Sequence, residues 1–422
     1  MGDDRGYLWV ADTNTPETYV GRDITPDEPE WYVDISARLD KNVYDAWGLT
    51  FGQFDDDEAV EVAVGTKQGW VAIFDGETEE LQWKIDMDNS DNTDSLCYSL
   101  IAADLNGNEI DELVVAQQSK LTVFIDGEME NTVEDTSISS GYGLASRNLF
   151  GNANEELIVA DNGGNIAIMG LEGSNLEPHQ EWYSGYPMNA GAGITVSTNG
   201  HTNPWIIHGS DAGMVLAWEI TSETERNQIW STNSETNDNS VYSIEGGGAY
   251  GVAIGNIDDD ENLEMLVGSS SGRVYAYDGV TYQTDWISPE LEKNVMGIAV
   301  GDLNNDNIND IVISTGNPGE PQSGGEGGEG YLYIFQGSGT SFSQEFQSPN
   351  INAALGVTIA ELDGSLYPEI GVATGYLEII DPTAGTSELH GNVRVYGFDG
   401  SDYESEWSSD DLGDIIGGIA SG

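Results

Sequence analysis

The sequence contains little cysteine, few basic residues and no long apolar segment. Its 422 residues include one cysteine, Cys97, with 12 Lys plus Arg against 75 Asp plus Glu, for a formal net charge of −63. A single cysteine excludes an intrachain disulfide framework. So few cations exclude nucleic-acid binding through clustered phosphate contacts. No apolar run reaches the roughly 18 residues of a membrane span, so we expect no direct membrane insertion.

The acidic residues are spread along the whole chain instead of being collected in one tail. Such a surface stays hydrated where salt screens its self-repulsion, because the Debye length is roughly 3 Å at 1 M salt. The composition therefore predicts a protein adapted to a high-salt environment. Capture of cationic partners or of many divalent ions is the alternative interpretation of the charge.

A large side chain recurs about every 50 residues, after a short alternating strand that often ends in Asp-Gly or Gln-Gly turn residues. Before each such pair lie a strand of small residues, as in 98–103, and an apolar strand, as in 113–116. Each unit is thus four short strands, here called a, b, c and d, without helical periodicity. The recurring positions on strand d are Trp31, Trp83, Val133, Trp182, Trp230, Trp286, Phe346 and Trp407.

Four-strand units that repeat every 45–60 residues are typical of a β-propeller. We predict a single all-β domain over residues 1–422, made of four-stranded antiparallel blades. The blades are expected to begin near residues 45, 95, 141, 190, 247, 294 and 351. Residues 6–35 and 413–422 would form one more blade that the two termini share, so eight blades are favoured and seven are the alternative.

The shared blade has no b strand in the sequence. Truncation of a longer surface protein would explain the gap. A three-stranded closing blade is an alternative, as is a strand accepted from a partner, which would give self-association through the incomplete blade.

An acidic loop, here called the ab loop, connects strands a and b. Oxygen ligands at its alternate positions 1, 3, 5, 7 and 9 would converge on one point and suit a hard cation, with position 7 offering its backbone carbonyl. The clearest copies are Asp302, Asn304, Asp306, Ile308 and Asp310; Asn256, Asp258, Asp260, Asn262 and Glu264; Asp104, Asn106, Asn108, Ile110 and Glu112; and Gln53, Asp55, Asp57, Ala59 and Glu61. Weaker copies contain Asn152, Asn154 and Glu156, and Glu361, Asp363, Ser365 and Glu369.

The fourth unit, around residues 197–209, has lost this pattern, and we expect it to bind no ion. An EF-hand does not fit the other copies, because its position 12 requires Glu and the chain has Val115, Val267 or Ile313 there. Ordinary turn residues of an acidic protein are the alternative interpretation, which the recurrence at one place in several units disfavours.

These loops, with the small-residue strand before them and the apolar strand after them, resemble the FG-GAP (VCBS) repeats of integrin α-subunit-type propellers over residues 6–422. The resemblance implies that the bound ions are Ca²⁺ with a largely structural role; Mg²⁺ is the alternative. Propellers of that family commonly have seven blades, so an expected count of eight departs from it. Glutamate at position 9 also departs from the aspartate usual in the family.

Successive loops of a propeller alternate between its two faces, so ab loops and c–d turns share one face. The longest insertions, 86–95, 231–240, 316–330 and 378–391, fall on the other face, among the b–c and d–a loops. In integrin-type relatives that face meets the partner. We therefore expect a non-catalytic binding or adhesion module, extracellular or on the cell surface, that presents these loops to a protein or glycan.

The sequence contains no recognisable catalytic set. Its four histidines are His179, His201, His208 and His390, and no P-loop, HExxH or nucleophile-elbow motif is present. Two other interpretations stay open. One is an extracellular polysaccharide lyase, with His390 or a tyrosine acting beside Arg394; the other is a structural repeat unit of a surface filament.

Overall fold

A computed structural model of the chain shows an all-β protein. It describes residues 7–10, 31–34, 46–56, 59–66, 69–76, 78, 80–87, 97–117, 120–127, 132–135, 141–161, 163–173, 175–184, 194–197, 203–209, 215–231, 249–258, 260, 262–269, 271–316, 328–337, 341–360, 366–381 and 386–409. Asp57, Glu361, Asp363, Ser365, His201 and the expected inner strand at 413–422 lie outside these residues.

The strands form seven antiparallel sheets with the predicted order a, b, c, d, here called blades 1 to 7. Blade 1 contains β3 (Ala46–Gly52), β4 (Glu61–Thr66), β5 (Trp70–Phe74) and β6 (Leu81–Asp86). Blade 2 contains β7 (Cys97–Ala103), β8 (Glu112–Gln117), β9 (Leu121–Phe124) and β10 (Thr132–Asp135). Blade 3 contains β11 (Gly141–Arg147), β12 (Glu156–Asp161), β13 (Asn165–Glu172) and β14 (Asn175–Tyr183). Blade 4 contains β15 (Ile194–Ser197), β16 (Trp205–Gly209), β17 (Val215–Ser222) and β18 (Glu225–Ser231).

The later blades repeat the same order. Blade 5 contains β19 (Ala249–Gly255), β20 (Glu264–Ser269), β21 (Val274–Asp278) and β22 (Thr284–Ile287). Blade 6 contains β23 (Val295–Gly301), β24 (Asp310–Gly316), β25 (Gly330–Gly337) and β26 (Phe342–Gln347). Blade 7 contains β27 (Ala353–Ala360), β28 (Glu369–Asp381), β30 (Val393–Phe398) and β31 (Tyr403–Ser408), with β29 (Thr386–His390) paired to the end of β28. The remaining strands, β1 (Tyr7–Val10) and β2 (Trp31–Asp34), pair with each other.

The a strands lie side by side, which is the arrangement around a propeller axis. The neighbours run in order through β3, β7, β11, β15, β19, β23 and β27. Small residues are required there: a Cβ atom on Gly48 would lie 2.1 Å from Leu100 Cδ1 of the next blade, and Gly251, at φ +67°, packs against Gly297. The small residues of the a strands therefore allow neighbouring blades to approach closely.

The hydrophobic cores lie between successive blades, where the strand-d aromatics pack. Trp83 of blade 1 contacts Phe124 on strand c of blade 2, with ring centroids 5.1 Å apart. Such pairs contribute about 0.5–1.5 kcal/mol each beyond the burial of their area. The same contact recurs as Trp182–Trp218 (5.5 Å), Trp230–Tyr277 (4.6 Å), Trp286–Phe335 (5.1 Å) and Phe346–Tyr396 (5.7 Å).

Within the described residues, these features are those of a β-propeller with seven four-stranded blades and an additional antiparallel strand pair, β1–β2. The only helical element among the described residues is a single 3₁₀ turn, Ile125–Gly127. It is far too short to cross a membrane. The insertion at 378–391, expected as a loop, is instead partly a hairpin of β28 and β29, with Tyr376 paired to His390. The other three insertions fall mostly outside the described residues.

Candidate metal centres

The ab loops of five blades are held by the same hydrogen bond. The backbone N–H of loop position 2 donates to the carboxylate at position 9, seven residues later. This bond ties the start of the loop to the start of strand b, so the position-9 acid closes the loop. The pairs are Phe54–Glu61 (2.6 Å), Leu105–Glu112 (2.7 Å), Leu149–Glu156 (2.7 Å), Ile257–Glu264 (2.7 Å) and Leu303–Asp310 (3.2 Å).

The position-9 acids are buried in six of the seven blades, each at most 2% exposed: Glu61, Glu112, Glu156, Glu264, Asp310 and Glu369. Burial disfavours the charged form, and it raises the pKa of Glu112 and of Glu264 to about 8 and that of Asp310 to about 7. A nearby cation stabilises the carboxylate instead, so these acids are chemically suited to hold a metal ion.

Hydrogen bonds also join the ab loops of adjacent blades. The N–H of Asp111 donates to Gln53 O (2.7 Å), and the N–H of Gln53 donates to Asp111 Oδ2 (2.9 Å). The same connection links blades 2 and 3, where the N–H of Glu155 donates to Asp104 O (2.8 Å). Between blades 5 and 6, Asn309 Nδ2 donates to the backbone carbonyl of Asn256, in the ab loop of blade 5, at 2.7 Å. An ion in one loop would therefore also stiffen its neighbours.

Blade 5 concentrates carboxylates around Glu264. Asp258, Asp260 and Glu264 offer oxygens that lie within 4.8 Å of one another. Asp278, at the end of strand c, and Asp285, on strand d, form a second such group with Glu264. These are the groups of three or more potential metal-ligating side chains found within the described part of the chain. The acids around Glu264 raise its pKa further, after the effect of burial.

Blade 2 surrounds its position-9 acid with amides. Asn106 Nδ2 donates to Glu112 Oε1 (2.5 Å) and to Asp126 Oδ1 (3.0 Å), and Asn108 Nδ2 donates to Asp126 Oδ1 (2.8 Å). The carboxylate of Asp104 accepts N–H groups of its own loop, among them that of Gly107 at 2.6 Å. Amide hydrogens thus supply the positive charge density that a cation would supply.

Blade 6, whose loop matches the motif best, uses its acids to fold the loop. Asp302 accepts the N–H groups of Asp306 (3.1 Å) and Asn307 (2.8 Å), and Asp310 accepts that of Gly337 (3.2 Å). Asn307 is left-handed, at φ 67°. The three carboxylates do not form a cluster within 4.8 Å among the described residues. Its metal ligands therefore stay a prediction.

The predicted loops of blades 1, 3 and 7 differ in the side chains that lie at or beside their ligand positions. In blade 1, Gln82 Nε2 donates to Asp55 Oδ2 (2.8 Å). In blade 3, Phe150 stands at ligand position 3 and packs edge-on against His179, with ring centroids 5.6 Å apart. Asn152 Nδ2 lies 3.5 Å from Glu156 Oε1. In blade 7, Glu369 is described and the remaining predicted ligands are not.

A Ca²⁺ ion fits the residues of blade 5 and does not fit those of blade 3. Ca²⁺ binds oxygens at about 2.3–2.6 Å, so ligands of one ion lie within roughly 5 Å of each other, as the blade 5 oxygens do. Glu264 Oε1 is also buried without a hydrogen-bond partner among the described residues. In blade 3 an aromatic ring, packed against an imidazole, takes the place of the oxygen ligand at loop position 3.

Sequence reasoning missed Asp126, Asp278 and Asp285. Asp126 and Asp278 belong to the Asp-Gly pairs that end strand c, which were interpreted only as turn residues. Asp285 faces the loop because strand d bulges between the partners of Ala276 and Tyr277. His179 lies at the corresponding bulge of blade 3, between the partners of Ile168 and Met169.

The described histidines lie in three different blades. His179 belongs to strand d of blade 3, and His390 stacks on Tyr376 in blade 7 with ring centroids 4.8 Å apart. His208 is buried in blade 4, where its Nε2 accepts the indole N–H of Trp218 at 3.5 Å. Burial lowers the pKa of His208 to about 4.

No protein-family model and no curated protein sequence matches this chain. Among solved structures, the computationally designed Ika8 protein is similar, with a TM-score of 0.56 and 12% identity over 90% of this chain and 92% of that chain. BBS1N in complex with ARL6DN, in crystals soaked with lead, gives a TM-score of 0.51 and 10% identity over 81% and 90% of the chains. The mercury-soaked crystals give 0.50 and 11% over 85% and 95%. At these identities the likeness supports the fold alone.

Proposed function

We propose that this protein is a non-catalytic binding module whose ab loops hold Ca²⁺ and whose opposite face binds a protein or glycan outside the cell. The observation that carries the proposal is the buried position-9 acid, which recurs in six blades. A solvated acidic surface does not require carboxylates to be buried at one equivalent place. Among the loops, blade 5 is the strongest candidate because its carboxylates converge on Glu264.

The finer part of the proposal is an eighth blade shared by the termini. Among the described strands, the a strands of successive blades pack side by side from β3 to β27, and the β1–β2 pair is a separate two-stranded sheet, as expected for the c and d strands of an additional blade. Trp31, on β2, is the residue that the sequence repeat places on strand d of this additional blade.

Thermal unfolding at a fixed high salt concentration tests the structural role of the ions. A bound ion stabilises the folded state by RT ln(1 + [Ca²⁺]/Kd), about 2.7 kcal/mol at a free concentration one hundred times Kd. We expect EDTA to lower the Tm and added Ca²⁺ to restore it. An unchanged Tm with EDTA at constant ionic strength would contradict the proposal.

The lack of a catalytic role is tested on acidic polysaccharides. Lyase action creates an unsaturated sugar, so absorbance near 235 nm should stay flat with this protein, and a steady rise would replace the proposal with the enzyme interpretation. Binding is then measured on a glycan array and on matrix proteins at high salt. Retention that depends on Ca²⁺ supports the module, because ions that hold the blades rigid also fix the bases of the b–c and d–a loops on the opposite face, which then lose less conformational freedom on binding.

A further inference from the structure

Two groups of carboxylates in blade 5 share one residue. Asp258 and Asp260 approach Glu264 from the ab loop, and Asp278 and Asp285 approach it from strands c and d. Within each group the ligand oxygens lie within 4.8 Å of one another, which is the span that one divalent ion can bridge.

Glu264 is built to join the two groups. It is 0% exposed, and its Oε2 accepts the N–H of Ile257 at 2.7 Å, which fixes the carboxylate. Its Oε1 has no hydrogen-bond partner among the described residues. An unpartnered buried oxygen is costly unless a donor or a cation satisfies it.

Strand pairing positions the second group. Asp278 lies directly opposite Glu264 in the b–c ladder, and the carboxylate of Asp278 accepts the N–H groups of Val280 (3.1 Å) and Thr281. Asp285 occupies the bulge of strand d beside them. Their backbones are therefore set by the sheet, so this group does not depend on the ab loop for its placement.

The charge around Glu264 is of one sign. Five carboxylates meet here, and the charged groups that act on Glu264 and on Asp285 are all acidic. The ion pairs of the described residues in this part of the chain, Arg273–Glu290 and Lys293–Glu329, involve none of the five. One divalent ion would leave a formal charge of −3, and two would leave −1.

We propose that blade 5 binds two divalent cations bridged by Glu264, one with Asp258 and Asp260 and the other with Asp278 and Asp285. This rests on the proposed function, because the first ion is the one assigned there to the ab loop. The second site lies in the c–d turn region, outside the loop motif.

The test counts the Ca²⁺ ions bound per chain, by elemental analysis after desalting into buffered Ca²⁺ at high salt. We expect Asp278→Asn with Asp285→Asn to lose one ion, Asp258→Asn with Asp260→Asn to lose one ion, and Glu264→Gln to lose two. Asp399→Asn, in the exposed c–d turn of blade 7, should lose none. Near-ultraviolet circular dichroism shows whether each variant keeps its fold.

The possible outcomes separate the two proposals. If the Asp278/Asp285 variant keeps every ion, or if all three site variants lose the same single ion, the second site is absent and the loop site stands. If the Asp258/Asp260 variant also keeps every ion, the loop site of blade 5 fails as well. If Glu264→Gln loses two ions and each double variant one, the bridged pair is established.

Discussion

Blades 2 and 5 bury the same glutamate at the end of the ab loop but satisfy it in different ways. In blade 2 the amides of Asn106 and Asn108 donate to Glu112 and to Asp126. In blade 5 aspartates stand at the two equivalent loop positions, and the second oxygen of Glu264 has no donor among the described residues. The same backbone therefore supports a network of amide–carboxylate hydrogen bonds in blade 2, where Asn106 Oδ1 has no partner among the described residues, and an excess of negative charge in blade 5.

This difference indicates that the repeated loop is first a structural element and only in some blades a strong ion site. The bond from position 2 to position 9 is present in both blades, at 2.7 Å. Whether the buried position-9 acid needs a cation to stabilise it depends on the balance of carboxylates and amides around that acid. Exchanging that balance between the blades should exchange their dependence on Ca²⁺.

The largest effect is expected for Glu264→Ala. The variant leaves the N–H of Ile257 without its acceptor, which costs about 1–3 kcal/mol. It also removes the ions that Glu264 holds, each of which contributes about 2.7 kcal/mol at a hundredfold excess over Kd. Urea denaturation in Ca²⁺ should show both losses. Glu112→Ala, the matched change in blade 2, should show mainly the first loss, and equal losses would contradict the comparison.

Asp258→Asn with Asp260→Asn gives blade 5 the amide pattern of blade 2. In Ca²⁺ we expect the free energy of unfolding to fall by about 2.7 kcal/mol at a hundredfold excess over Kd. In EDTA it should rise, because repulsion around Glu264 is relieved. Asp399→Asn is the control for the loss of a distant carboxylate, since an asparagine oxygen can still accept the N–H groups of Ser401 and Asp402. If EDTA lowers the stability of the variant as much as that of the parent protein, the proposed difference between blades 2 and 5 is wrong.

The reverse exchange is Asn106→Asp with Asn108→Asp. It removes three hydrogen bonds donated by the amide groups, each of which contributes about 0.5–1.5 kcal/mol, and it adds carboxylates beside Glu112. We expect a loss of roughly 2 kcal/mol in EDTA that Ca²⁺ largely reverses. Melting curves with and without Ca²⁺ measure it. A loss that Ca²⁺ leaves unchanged would show that carboxylate number does not decide ion binding.

The smallest expected effect is in blade 4, which lacks the acidic loop pattern. There the free energy of unfolding should depend on pH through His208, without any metal ion. His208 has a pKa of about 4 in the folded protein, against roughly 6.5 when unfolded. The unfolded state therefore binds more protons below about pH 6.5, and stability falls as the pH drops towards 4. At pH 6 the cost is about 1 kcal/mol. His208→Gln should remove that slope; an identical slope would show that His208 is not responsible.

Much of the fold could be predicted from the sequence because each blade repeats a local pattern. The apolar strand b, the small residues of strand a and the aromatic of strand d each have one role wherever they recur. Blade closure could not be settled in this way, because it depends on segments far apart in sequence. The polar composition of 378–391 predicts a loop. The structure instead pairs β28 with β29 there, and the composition carries no signal for that pairing.

The candidate site was only partly predictable for a related reason. Ligands within the ab loop follow a fixed spacing and can be read directly from it. Asp285 reaches the site through a bulge in strand d, and a bulge shifts the face of a side chain without a signal in the local sequence. The roles of Asn106 and Asn108 depend on Asp126, which lies in a different loop.

The most direct measurement is anomalous diffraction from crystals grown in Ca²⁺ at high salt and then exchanged with Tb³⁺. We expect anomalous peaks in blade 5 about 2.3–2.6 Å from oxygens of Glu264, with one peak beside Asp258 and Asp260. Clear density for these side chains with no peak near Glu264, at ion concentrations that fully restore the Tm, would contradict the claim that a bound cation stabilises blade 5.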